Sequence, residues 1–192
     1  VRRSESDGAA NAFVSFGFDD GTYASISIEA RREKGERYSP VKGLFRRYEL
    51  IYVVGDERDL IGRRAVHDGN PVYLLPIKAT KEAMRSLFTE MLTRADALRE
   101  HPAFYNTLTD NCTNILLRHV DVAAPDRVRG GIAAMLPGYA DEIAVKLDLV
   151  EGVTTVEQAR RRYRINDKAR AAEHAPDFSE RIRAAGAGIG GF

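Results

Sequence analysis

The sequence contains one cysteine, almost no net charge and no long apolar run. One cysteine excludes an internal disulfide and leaves the cellular compartment undecided. Because no run reaches about 18 apolar residues, we expect no transmembrane helix. The formal net charge of +1 gives no reason to expect a nucleic-acid partner. Glycine-rich phosphate loops and metal-ligand spacings are also missing, so the sequence predicts neither a cofactor nor a bound metal.

The length and composition are typical of one soluble globular domain. The chain has 192 residues, of which 44% are hydrophobic and 30% charged. It begins at Val1 without a visible signal peptide, and we interpret it as a processed or excised fragment, which would allow an export signal or anchor to have been removed. We expect a flexible segment over residues 1–10, a globular domain over 11–150, and a charged C-terminal extension with a glycine-rich tail over 151–192.

Two alternating runs flank Asp19-Asp20-Gly21 and predict a β-hairpin over residues 11–30. A three-residue loop with Gly21 in the left-handed region makes paired residue numbers add to 40. This register places Val14 opposite Ile26, so that apolar side chains share one face. It also places Asn11 opposite Glu29.

Further elements follow the hairpin. Strands are predicted over 47–59 and 70–79. Thr80 begins a helix with a strong apolar stripe, which Pro102 ends. Short helices are expected on either side of Pro137-Gly138.

The cysteine lies in "YNTLTDNCTNILLRHV", residues 105–120, where capping residues precede an apolar helical pattern. Asn111 and the two residues before it are all good N-caps, so Cys112 falls in the first turn of a helix. There the unpaired backbone N–H groups and the helix dipole stabilise a thiolate, although Asp110 opposes this effect. The alternative is a small buried residue, because free cysteine is among the most buried types.

A catalytic base is harder to find among the four histidines. His119 lies about two turns beyond Cys112 on the same helix, too far along the axis to reach the thiol. His101 comes at the end of the preceding helix, His67 in a turn and His174 near the C-terminus. We expect each to be a surface or capping histidine. The residues alone therefore leave the site without a base.

Several segments, taken together and in order, resemble the Lnb N-terminal periplasmic domain family over about residues 11–150. They are "FVSFGFDDG", "SISIEARREKGERYS", "GLFRRYELIYVVGDERD", "FYNTLTDNCTNI" and "LPGYADEIA". The resemblance implies an α+β, circularly permuted papain-like (NlpC-type) fold, in which an antiparallel sheet packs against helices and the cysteine begins a helix. It also implies a periplasmic location, usually in a membrane-anchored parent chain, and Cys112 as the nucleophile.

The histidine that the family pattern places just before "FVSFGF" is replaced here by Asn11. An amide cannot accept the thiol proton, because it has no pKa near neutrality. Three explanations are open: an inactivating substitution, a natural member that lost its base, or a displaced alignment. We favour the first, since histidine to asparagine preserves shape and hydrogen bonding.

Four further residues are candidates for the site. Glu29, opposite position 11 on a face of small residues that would let the cysteine helix approach, is a candidate to orient a histidine there. The alternative is a surface glutamate paired with Arg31 or Arg46. Asn111 or the Cys112 N–H is a candidate oxyanion donor, and Tyr105 a candidate for the mouth of the site. Arg31 belongs to a charged loop that either is merely solvated or meets lipid phosphates at a membrane surface.

The resemblance implies a thiol-dependent acyltransferase of the bacterial envelope that forms an acyl-thioester on Cys112. The resemblance implies N-acylation of a lipoprotein from a lipid donor, with phospholipid or lipoprotein as partner. We expect the present chain to turn over little or not at all with Asn11 in place. Two alternatives stay open: a cysteine amidase or peptidase of the cell envelope, and a non-catalytic binding module in which Asn11 is natural and Cys112 structural.

Overall fold

The structure is a computed structural model and describes residues 12–124 and 139–184. The predicted flexible segment 1–10, residue Asn11, the Pro137-Gly138 break and the glycine-rich tail after residue 184 lie outside the described residues.

The described chain forms a four-stranded antiparallel sheet and a set of helices, a mixed α/β architecture. The strands are β1 (Phe13–Gly17), β2 (Tyr23–Ala30), β3 (Tyr48–Gly55) and β4 (Phe104–Tyr105), and they lie in the order β1-β2-β3-β4. The helices are α1 (Pro40–Leu44), a π-helix (Arg58–His67), α2 (Lys81–Glu100), α3 (Cys112–Ala123), α4 (Ala140–Lys146), α5 (Val156–Arg162), α6 (Asn166–Ala171) and α7 (Phe178–Arg183).

The hairpin register predicted from burial is confirmed. Val14 pairs with Ile26 and Phe13 with Ser27, so paired numbers add to 40. Gly21 has a φ of 82°, in the left-handed region that glycine adopts without strain. The three-residue loop therefore sets which side chains of β1 and β2 face the core.

The apolar face of the sheet carries the main core, and the cysteine helix packs on it. Ala12, Ile26 and Ile28 form one buried cluster with Cys112 and Ile115 of α3. The expectation that this helix would approach the small-residue face of the hairpin is wrong. Alternation along a strand sends neighbouring side chains to opposite faces of the sheet. The face that carries Ile26 and Ile28 has the larger apolar area, so α3 packs on that face.

The small-residue face is covered instead by the π-helix, an element that the sequence did not predict. Arg64 of this helix donates to Ser27 Oγ at 3.3 Å and also bonds the Glu29 carboxylate. The predicted strand 47–59 ends at Gly55, because the chain enters the π-helix at Arg58. Extended π-helices are rare and have no simple sequence signature.

The predicted helix beginning at Thr80 is confirmed, but the predicted strand 70–79 is wrong. The Thr80 side chain caps α2 by accepting from Ala83 N at 3.2 Å. Residues 70–79 form only isolated bridges, Tyr73 with Arg164 and Ile77 with Val150. Their partners come from the C-terminal part of the chain, so local alternation does not reveal the pairing.

Residues 151–184, which the composition suggests are a charged extension, form α5, α6 and α7 and pack against the rest of the domain. Ile165, Phe178 and Ile182 belong to a second buried cluster with Ile61 of the π-helix. Arg183 of α7 reaches the carboxylate of Glu57, whose side chain is fully buried, with N–O distances of 2.5 and 2.6 Å.

Candidate functional site

Cys112 is the first residue of α3, as predicted. Asn111 is the N-cap, and its side-chain oxygen accepts from Asn114 N at 2.9 Å. This bond satisfies one of the backbone donors that a helix N-terminus leaves unpaired. The thiol therefore lies at the positive end of the helix dipole.

Three asparagines hold the loop that presents the cysteine. Asn106 accepts from the backbone N–H groups of residues 108 and 109 at 2.9 and 3.0 Å, which closes a tight turn. The amide nitrogens of Asn111 and Asn114 donate to the carbonyls of Thr107 and Leu108 at 3.0 and 2.8 Å. All three asparagines are buried. The three asparagines in "YNTLTDNCTN" are the sequence signal for this loop. From the sequence, only Asn111 among them was predicted to cap a helix.

The thiol is almost completely buried, with 1% of Cys112 exposed. Burial raises the pKa of the Cys112 thiol, because a thiolate loses its hydration there. Hydrogen bonds from the backbone of Ala12, from Thr113 and from the Tyr105 hydroxyl act in the opposite direction and offset the rise only in part. In this chain the thiol form is therefore favoured at neutral pH, despite the helix dipole.

The bond to Ala12 brings the start of the first strand against the nucleophile candidate. Ala12 is itself buried, in the same cluster as Cys112. Asn11 immediately precedes it in the chain and lies outside the described residues. The pairing of position 11 with the thiol thus stays a prediction, supported by the placement of its neighbour.

Tyr105 lies beside the thiol and is buried, with its hydroxyl close to both the side chain and the backbone N–H of Cys112. Burial raises the pKa of Tyr105 far above its ordinary value, and the nearby Cys112 and Tyr38 add to the effect. The hydroxyl therefore stays protonated and able to donate. The ring of Tyr38 meets the Tyr105 ring edge-on at 6.1 Å.

The other candidates lie further from the thiol or already have partners. Both candidate oxyanion donors have partners, since the Asn111 amide is used by the loop and the backbone N–H of Cys112 faces the Tyr105 hydroxyl. Glu29 accepts from Ser27 Oγ at 2.8 Å and pairs with Arg64, so neither Arg31 nor Arg46 is its partner. Arg31 is exposed and pairs with Glu49 at 2.8 Å.

Glu29 and Cys112 lie on opposite faces of the sheet. Ile28 shares a cluster with Cys112, and alternation directs the next side chain to the face that the π-helix covers. An orienting role for Glu29 toward the thiol would therefore have to act around the edge of the sheet.

His119 is buried, so its assignment as a surface or capping histidine is wrong. Its Nε2 lies 2.5 Å from the Tyr52 hydroxyl, and its Nδ1 contacts the Glu90 carboxylate. An ionised carboxylate only accepts, so Nδ1 carries the proton and Nε2 accepts from Tyr52. Burial lowers the pKa of His119 to about 4 and raises the pKa of Tyr52 to about 12.

The His119 cluster lines a pocket of about 520 Å³ between β3, α2 and α3. Leu50 and Ile115 also line it, and both belong to the core cluster that contains Cys112. The pocket therefore adjoins the core cluster that contains the thiol, and Cys112 does not line it. Its rim carries three arginines, namely Arg46, Arg94 and Arg118.

The pKa of His119 predicts acid sensitivity of the fold. Between pH 6.5 and about 4 the unfolded chain binds a proton on this imidazole that the folded chain does not, so stability falls as pH decreases. A depression from 6.5 to about 4 sets an upper limit on the order of 3 kcal/mol for this loss, because the Glu90 carboxylate beside Nδ1 favours the imidazolium and opposes burial. Urea unfolding at pH 7.5 and pH 4.5 measures it, comparing His119→Gln with His174→Gln, an exposed control. An unchanged pH dependence in His119→Gln contradicts the assignment.

Among residues 12–124 and 139–184, no group of three or more histidine, cysteine, aspartate or glutamate side chains is placed to hold a metal ion. Within the same ranges, no helix has both the length and the apolar character needed to cross a membrane.

Comparison with known proteins identifies the class. The chain belongs to the Lnb N-terminal periplasmic domain family, whose model matches residues 5–137. No curated protein and no solved structure matches the chain. The resemblance stated from the motifs is thus confirmed, and the matched region includes the hairpin, the sheet and the cysteine helix.

Proposed function

We propose that this domain is built to carry an acyl group on Cys112 and to transfer it to an amine, with position 11 as the place of the base. In this proposal the sheet and α3 form a circularly permuted papain-like core. The observation that carries it is the hydrogen bond between the Cys112 side chain and the backbone of Ala12. It brings the start of the first strand to the thiol, which lies at a helix N-terminus.

The proposed reaction has two steps. The thiolate of Cys112 attacks an ester carbonyl of a phospholipid, an S–C bond forms, and the C–O bond breaks to release the lysolipid alcohol. The amine of a lipoprotein then attacks the thioester, an amide forms, and the thiol is released. A histidine at position 11 would remove the thiol proton and return it to the leaving alcohol.

The Tyr105 hydroxyl and the backbone N–H of Cys112 are the groups best placed to meet a developing oxyanion. A tyrosine whose pKa is raised by burial remains a hydrogen-bond donor throughout the reaction. A substrate must displace the contacts that now hold this hydroxyl to the cysteine. The parent chain would act at the periplasmic face of the membrane, tethered by a segment outside this sequence.

Asn11 carries no charge, and the raised pKa of the Cys112 thiol is what a site without an imidazolium at position 11 would show. The same observation favours a second candidate, a non-catalytic binding module in which Cys112 is structural. A third candidate, an amidase or peptidase, shares the acyl-enzyme and differs only in using water as the acceptor.

Restoring a histidine separates these candidates. We expect Asn11→His, given a phospholipid and a diacylated lipopeptide, to form a thioester on Cys112 and to acylate the peptide amine, both seen by intact mass. Asn11→Gln and the double variant Asn11→His/Cys112→Ala are the matched controls and should show neither product. Release of a peptide fragment instead supports the amidase, and an inert Asn11→His protein supports the binding module.

A further inference from the structure

A cluster of exposed apolar side chains surrounds α1, close to the cysteine loop. Phe45 is 71% exposed and Val41 64% exposed, and Leu44 and Leu108 are each more than two-fifths exposed. We call these four residues, together with the basic residues between and after them, the amphiphilic tip. None of its four apolar side chains lines the pocket beside His119, and Arg46 is the one residue of the tip on the rim of that pocket.

The basic residues of the tip are Lys42, Arg46 and Arg47, all exposed. Residues 40–47 include no carboxylate, although Lys42 pairs with Glu36 at 2.9 Å and Arg46 lies 4.0 Å from Asp110. Arg46 has a φ of 53°, an uncommon conformation for a residue other than glycine. The turn that exposes Phe45 and the two arginines therefore carries a conformational cost.

The tip is fixed to the loop that presents the cysteine. Asn106 Nδ2 donates to the Leu44 carbonyl at 3.0 Å, and Thr107 Oγ1 donates to the Pro40 carbonyl at 2.9 Å. A side chain on Gly43 would collide with Thr107, since its Cβ would lie 2.3 Å from Oγ1. The glycine thus allows α1 to lie directly against residues 106–108.

We propose that the amphiphilic tip is the surface by which this domain rests on an anionic lipid bilayer. Phenylalanine and leucine enter the boundary between headgroups and acyl chains, and the adjacent lysine and arginines meet lipid phosphates. Residues 40–47 carry three cations and no carboxylate, and this positive charge complements an anionic lipid surface. Docking through the tip would bring the Cys112 loop close to the membrane, whether or not the domain transfers acyl groups.

Vesicle binding tests the proposal without requiring turnover. We expect the domain to sediment with vesicles of phosphatidylcholine and phosphatidylglycerol, and about tenfold less with phosphatidylcholine alone. Phe45→Ser should weaken partition into the mixed vesicles about tenfold, which is the effect of one buried aromatic side chain. Arg46→Gln/Arg47→Gln should weaken it and reduce its dependence on salt.

The matched controls are exposed residues elsewhere, Ile77→Ser for the apolar change and Arg99→Gln for the charge change, and both should bind as the parent does. Thermal unfolding confirms that each variant is folded. Absence of binding to the mixed vesicles, or an equal loss in Ile77→Ser and Phe45→Ser, overturns the proposal.

Discussion

Iodoacetamide should alkylate Cys112 of this chain at neutral pH on the order of a hundredfold more slowly than it alkylates a free thiol, because the thiol is buried and only opening fluctuations expose it. The raised pKa of Cys112 lowers the thiolate fraction further. Asn11→His should accelerate the reaction about tenfold or more, since an imidazolium beside the sulfur favours the thiolate. Intact mass measures the rate without ambiguity, because the chain has one cysteine.

Two controls define this experiment. Asn11→Gln changes the side chain without adding a charge and should leave the rate near that of the parent, and urea should make all variants react alike. Fast alkylation of the parent at pH 7 would contradict the buried, protonated thiol. A rate that Asn11→His does not change would remove position 11 from the site.

Loss of Arg183 should produce the largest change in stability. Arg183→Met leaves the Glu57 carboxylate buried without its cation, which typically costs about 3–5 kcal/mol of unfolding free energy. The guanidinium also lies 3.9 Å from the centre of the Tyr23 ring, and that contact is lost as well. Urea unfolding at pH 7 measures the difference.

The matched control is Arg181→Met on the same helix. Arg181 pairs with Asp177 at the surface, and its removal should change stability by less than about 1 kcal/mol. The double variant Arg183→Met/Glu57→Met should recover much of the loss, because no buried charge remains. Equal effects of Arg183→Met and Arg181→Met would contradict the importance of the buried pair.

The parts of the fold that local rules determine could be predicted from the sequence. The hairpin register followed from a turn that requires a left-handed glycine at position 21 and from the burial of one face. The beginnings of α2 and α3 followed from their capping side chains, which are Thr80 and Asn111. In each case the determining residues lie within a few positions of the element they define.

The parts that long-range contacts determine could not be predicted. The face of the sheet that α3 covers depends on the π-helix, which occupies the other face and has no recognisable periodicity. His119 was misassigned because Glu90, its partner, lies on a different helix. Residues 151–184 have a charged composition, and several of their apolar side chains pack against residues far earlier in the chain, such as Ile61 and Val72.

The ion pair between Glu57 and Arg183 bears on which shortened forms of this domain would be stable. The family match ends at residue 137, before α5, α6 and α7. A protein truncated there would keep Cys112 and the whole sheet, yet would leave the Glu57 carboxylate without its guanidinium. During synthesis, likewise, Ser15 and Glu57 gain the Arg183 guanidinium only once α7, the last described helix, has been made.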